Sequence, residues 1–247
     1  MTTALRRGFW WRLFLVAPSI SRTLTKRSMM EKLRVDLVSD VACPWCAIGY
    51  RRLAQALETL EGEIDVELVW QPFELNRDMP PEGEPILEHL CRKYGKDAAT
   101  MEQSQREIMA VAEELGLNFR GAVERRANNT FDAHRVLAWA ATQNRETPLQ
   151  LALFEAYFGE AKNPSDPEVL REKAISVGLD GDTAEAIACS DQYADEVRAA
   201  QQQFMDAGVS AVPGFILDGR YLISGAQPAD VLVDALRQVA EENANRQ

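Results

Sequence analysis

Two cysteines separated by two residues, in Cys43-Pro44-Trp45-Cys46, hold the reactive chemistry of this chain. They fall where an alternating apolar run, Leu33-Arg34-Val35-Asp36-Leu37-Val38, gives way to a pattern in which Ile48, Leu53, Leu57 and Leu60 recur. The spacing predicts a strand followed by a helix that begins at the dithiol. Unpaired backbone N–H groups at a helix N-terminus favour a thiolate beside them. Proline is preferred at the first helical position, because its missing N–H would have had no partner there. With Pro44 in that position Cys43 becomes the N-cap, and Cys46 lies inside the first turn, more buried and able to reach Cys43. Cys43 is therefore the expected attacking thiol and Cys46 the resolving one. An unperturbed thiol is only about 3% ionised at pH 7. Lowering its pKa gains thiolate but loses nucleophilicity, so the larger benefit is a better leaving group when a mixed disulfide resolves.

Other uses of the same spacing stay open. A Cys-x-x-Cys can be half of a zinc site, which needs four ligands, usually as two close pairs. Cys91 and Cys189 stand alone, and the histidines are His89 and His134, so His89 with Cys91 is the available second pair. A structural disulfide is the third reading. The proline between the thiols suits redox exchange best.

Composition sets outer bounds. The chain has 247 residues, 46% hydrophobic and 26% charged, as in ordinary globular proteins. Its net charge of −11 offers no basic field to nucleic acid. Four scattered cysteines are no disulfide framework, and they point to a reducing, cytoplasmic compartment. Residues 1–30 differ: Arg6, Arg7, Arg12, Arg22, Lys26 and Arg27 stand there with no acid, leaving −17 on the rest. This stretch is too short and too charged to span a membrane. It reads either as a transit peptide for organelle import or as sequence preceding a start at Met29 or Met30, disordered or outside the fold.

From Leu33 onward an architecture emerges. Ile64 to Trp70 predicts a second strand, ended by Gln71-Pro72-Phe73, and Met79 to Pro85 reads as a proline-rich linker. Helical spacing follows over residues 86–94, 97–115, 131–145, 147–160, 167–177, 182–188 and 191–206, with Asp166 capping the helix that starts at Pro167. Phe215 to Leu217 and Arg220 to Ile223 flank Asp218-Gly219 as a hairpin, and a helix from Gln227 to Ala240 closes the chain. The organisation is an α/β core in two halves, 33–78 and 207–243, split by a helical insertion over 79–206.

On these residues the chain resembles DsbA-like thioredoxin-fold oxidoreductases, and among them the FrnE-like subgroup. The matching stretches are Ser39 to Gly49 around the dithiol, Asn129-Thr130-Phe131-Asp132-Ala133-His134-Arg135, Gly208 to Phe215, and Ser224-Gly225-Ala226-Gln227. The resemblance implies a thioredoxin-like fold with a large inserted α-helical domain. It also implies that Pro213 follows a cis peptide bond and faces the dithiol, with Val212 offering its backbone to an extended substrate. Glutathione-binding isomerases of the related group carry serine where Cys43 stands, which favours dithiol redox here. Ala211 and Gly214 depart from the family's usual residues.

Trp45 reads equally as a substrate-contact surface or a cap on the core. His134 reads as a satisfied structural histidine, and Arg51 and Arg52 as solvated or, in a glutathione-binding reading, as carboxylate partners. Cys91 and Cys189 read as isolated packing thiols. The expected activity is thiol–disulfide exchange, with Cys43 and Cys46 catalytic and Trp45, Val212 and Pro213 meeting a thiol- or disulfide-bearing protein or small molecule. No metal, flavin or nicotinamide is expected, and glutathione is the co-substrate to consider. The rival readings are a glutathione-dependent transferase or small-molecule isomerase and a redox-inert binding or chaperone module.

Overall fold

The first apolar run forms β1, Lys32–Ser39, with Leu33, Val35 and Leu37 turned to one face and fully buried. The fold was obtained as a computed structural model that describes residues 32–246, so both readings of residues 1–30 fall outside it. Helix α1, Pro44–Thr59, follows directly and returns the chain to β2, Asp65–Pro72, which pairs with β1 in parallel. β2 continues through Gln71 and Pro72, two residues that the sequence reading placed at its stop.

The insertion is helical, as expected, with one addition. Glu84–Pro85 (β3) pairs antiparallel with Arg126–Ala127 (β4), so the end of the predicted linker is tied into a small ladder. The ladder requires a glycine beside it: Gly83 has φ +60°, and a Cβ there would lie 2.3 Å from the Ala127 carbonyl oxygen. Helices α2 (Ile86–Tyr94), α3 (Ala98–Glu114), α4 (Phe131–Thr142) and α5 (Glu146–Phe154) follow, and α5 runs into a π-helical turn, Glu155–Gly159. Helices α6 (Pro167–Ser176), α7 (Gly181–Ala188) and α8 (Ala194–Asp206) complete the block. Their starts are chemically marked. Asp97, Asp166 and Asp180 each accept backbone N–H groups at an N-cap, which satisfies donors the helix leaves unpaired.

Strands β5 (Gly214–Leu217) and β6 (Tyr221–Ser224) then form the hairpin, turning through Asp218 and Gly219, both at positive φ. The four strands lie in the order β2-β1-β5-β6, with β5 antiparallel to β1. Helix α9, Ala229–Ala244, packs against α1. One core joins Leu33, Val35 and Leu37 to Ile48 and Leu53 of α1, Leu232 and Leu236 of α9, and Phe154 to Phe158 of the insertion. On the other face of β1, Val38 meets Phe204 and Val209 at and just beyond the end of α8. The insertion has a second core of its own, including Val136, Leu137, Leu149, Leu153 and Ile187. Among the described residues no helix is long and apolar enough to cross a membrane.

Candidate active site

Cys43 is the N-cap of α1, in extended backbone conformation, and Pro44 is the first helical residue. The Cys43 N–H donates to the Asp40 carbonyl and the Cys46 N–H to the Cys43 carbonyl, so the approach to the helix is a closed turn. Both cysteines are free thiols. Cys43 retains 3% exposure, whereas Cys46 is wholly enclosed. Burial pushes the Cys46 thiol well above its ordinary range, and the hydrogen bond and charge of Cys43 push it further. The Ser39 hydroxyl and the Asp40 backbone amide pull it partly back, although Ser39 Oγ lacks the geometry of a full hydrogen bond. The difference in burial gives the two thiols unequal roles: one is placed for encounter, the other is held protonated behind it.

The chain before β5 closes the other side. The Val212–Pro213 peptide bond is cis, and the Cys43 sulfur lies 3.8 Å from the Val212 carbonyl oxygen. Pro213 is buried against α1 at Gly49. A Cβ on Gly49 would stand 3.0 Å from Pro213 Cγ and 3.2 Å from Phe215 Cζ, so the close approach of the loop depends on glycine there. Trp45 points outward with 40% exposure, beside the thiol and away from the core. Cys43, Cys46, Val212 and Pro213 thus converge, and Trp45 forms an exposed rim.

Two residues with evident effects on this site were not singled out from sequence. Asp40 is 1% exposed; one carboxylate oxygen accepts the Ala42 N–H at 3.0 Å and the other the Leu75 N–H at 2.6 Å. It ties the dithiol loop to the segment after β2. Its bond to the amide two residues ahead is an Asx turn, a signal readable from sequence; the bond to Leu75 is not. Arg125 reaches the first turn of α1 from the far side of the insertion. In sequence it belongs to the charged run Glu124-Arg125-Arg126, which reads as a solvated surface.

The remaining residues resolve into structural roles. His134 donates from Nε2 to the Phe73 carbonyl at 2.9 Å and stands 3.8 Å from Asp40. Arg51 reaches the Leu115 carbonyl and Glu58, and Arg52 the Ala226 carbonyl, so both are occupied within the fold. His89 bonds Glu84 at 2.6 Å instead of forming a pair with Cys91. Cys189 is exposed at the end of α7, which corrects the expectation of a packing thiol; Cys91 is only partly covered.

A dithiol at a helix start, facing a proline loop on a four-stranded sheet, accords with a family model that matches residues 34–237 and describes a DsbA-like thioredoxin domain. The chain belongs to the DsbA-like thioredoxin family. A solved structure of a probable DsbA oxidoreductase from Streptomyces coelicolor is 36% identical, superposes with a TM-score of 0.77, and covers 83% of this chain and 89% of its own. The uncharacterised protein YwbO of Bacillus subtilis is 29% identical over 205 residues, 83% of this chain and 96% of its own length. A cytosolic disulfide reductase, DsbM, of Pseudomonas aeruginosa shares the fold at 18% identity, with a TM-score of 0.56 over 87% of this chain and all of that one.

Proposed function

We propose that this member of the DsbA-like family is a thiol–disulfide oxidoreductase working through Cys43 and Cys46. The observation that carries the reading is the asymmetry of the pair: Cys43 caps α1 at the site's mouth, and Cys46 lies fully buried in contact with it. In the reducing direction the Cys43 thiolate attacks a substrate disulfide, forming a mixed disulfide and releasing one substrate sulfur as a thiolate. Cys46 then loses its proton and attacks Cys43. The mixed disulfide breaks, the second substrate sulfur leaves with the electron pair and takes up a proton, and the enzyme is left as the Cys43–Cys46 disulfide. The oxidising direction is the reverse.

The Val212 backbone beside Cys43 suits an extended substrate strand, Pro213 holds that loop against α1, and the exposed Trp45 ring supplies apolar contact. The FrnE-like subgroup is supported by the sequence motifs around the dithiol and His134. The exposed free thiol of Cys189 suits a reducing, cytoplasmic setting. Glutathione serves as a candidate co-substrate.

The deciding experiment equilibrates the protein in glutathione buffers, alkylates it, and counts free thiols, with Cys46→Ser in parallel. A cooperative two-thiol transition, and stable mixed disulfides on Cys46→Ser, are the expected results; the potential gives the direction of electron flow. Absence of a Cys43–Cys46 disulfide would overturn the reading. Tight glutathione binding that survives Cys46→Ser would favour a transferase or isomerase.

A further inference from the structure

Arg125 is a buried cation whose balancing charge is not a carboxylate. It retains 6% exposure, and among the described residues it forms no ion pair. Its guanidinium lies over the rings of Tyr157 and Phe158, 5.5 and 5.2 Å from their centroids. One terminal nitrogen donates to the Ala122 carbonyl and to Gln105 Oε1, while the Nε hydrogen has no acceptor. Guanidinium stays protonated in proteins, so this site encloses a full positive charge. Burying a charge without a partner is costly. Ring faces and neutral carbonyls recover only part of that cost.

The neighbours narrow the choice of counter-charge. Tyr157 is not it: burial pushes its hydroxyl up to about 12, and it donates to the Arg126 carbonyl at 2.9 Å. Gln105 is neutral. The crevice that Arg125 lines is also lined by Pro44 and Phe119, which places the guanidinium at the first turn of α1, next in space to the residue after Cys43. Cys43 lies within electrostatic reach of it.

We infer that the Arg125 guanidinium is the fixed counter-charge of the Cys43 thiolate, set behind the helix start so that the reduced protein holds its nucleophile ionised. The inference rests on the reading of Cys43 as the attacking thiol. Other groups facing Cys43 do not supply positive charge. Asp40 and Cys46 on its own segment are an acid and a thiol, Tyr157 from the insertion is neutral, and Val212-Pro213 brings no titratable side chain. The helix N-terminus and Arg125 therefore act on the sulfur together.

The test uses the reduced protein carrying Cys91→Ser and Cys189→Ser, so that iodoacetamide reports Cys43 against the enclosed Cys46. Arg125→Met is expected to slow alkylation about tenfold at pH 6, with the two rates converging at alkaline pH, where the thiol ionises regardless. Arg125→Lys, which keeps the charge, is expected to recover much of the loss. In glutathione buffers Arg125→Met shifts the dithiol equilibrium about tenfold toward the disulfide, or roughly 30 mV more reducing. Superimposable pH profiles for Arg125→Met and the parent would overturn the inference. So would an Arg125→Lys variant as impaired as Arg125→Met, since that outcome assigns the arginine to packing alone. Should Arg125→Met not fold, Arg125→Gln keeps donors for Ala122 and Gln105 without the charge and gives the same comparison. If the parent itself forms no Cys43–Cys46 disulfide, the oxidoreductase reading fails, while the alkylation series still decides the role of Arg125.

Discussion

Asp40 illustrates how much one buried carboxylate organises. Its two oxygens serve two different backbone amides, Ala42 in the dithiol loop and Leu75 beyond β2. Asparagine could satisfy one of them, but its NH₂ group would face the other donor. Leaving a buried amide unpaired costs about 1–3 kcal/mol. Asp40→Asn is accordingly expected to lower unfolding stability by that amount in urea titration and to slow resolution of mixed disulfides by loosening the Cys43 turn. Trp45 poses the opposite case. With 40% of its surface free it contributes little to the core. Trp45→Ala should leave the melting temperature within a degree or two and raise KM for a protein disulfide several-fold; unchanged KM would remove Trp45 from the substrate surface.

Among the elements, α1 does the most. Its N-terminus presents the dithiol, its apolar face packs on the sheet, and its contact with the loop before β5 closes the site at Gly49. A glycine inside a helix costs about 1 kcal/mol relative to alanine. Here that cost allows Pro213 and Phe215 to approach. Gly49→Val is expected to destabilise the protein by about 1–3 kcal/mol through overpacking, and to weaken dithiol exchange with it. The chemical denaturation midpoint checks the first effect and the rate of insulin reduction the second.

At the scale of the whole molecule, the seam between core and insertion is where polar groups are enclosed. The β2 edge meets α4, α5 and α8 around a cavity of about 260 Å³ lined by Ser39, Trp70, His134, Glu146 and Gln150. Trp70 Nε1 donates across the seam to Thr147 Oγ1 at 2.8 Å. Burial raises the Glu146 carboxyl to about 7, with a backbone bond from Trp70 opposing the shift. The unfolded chain releases this proton near pH 4 while the folded chain retains it to about 7. Stability is therefore complete at low pH and falls as pH rises through about 7. Glu146→Gln should match the parent near pH 4 and exceed it by about 1–3 kcal/mol at pH 8, as measured by urea unfolding at the two pH values.

The local code of this chain was legible because its signals are short-range. Pro44 at the first helical position, Asp166 before Pro167, and Asp218-Gly219 between apolar runs each act on backbone within a turn of themselves, and all three mark the elements observed. The alternation of Leu33, Val35 and Leu37 needs only one buried face to be read. What distance in sequence conceals was decided by packing. Asp40 finds Leu75, Cys43 finds Val212 across 169 positions, and Gly83 must be glycine because the Ala127 carbonyl lies against it. Arg125 is the clearest case. A charged run ordinarily faces water, because solvation of ions is strong; only the enclosure by Tyr157, Phe158 and the first turn of α1 turns this one inward. Sequence by itself determined the elements and the identity of the reactive pair, since both depend on neighbouring residues; the tertiary structure decided the burial and electrostatic setting of each sulfur, since those depend on groups brought together from the whole chain.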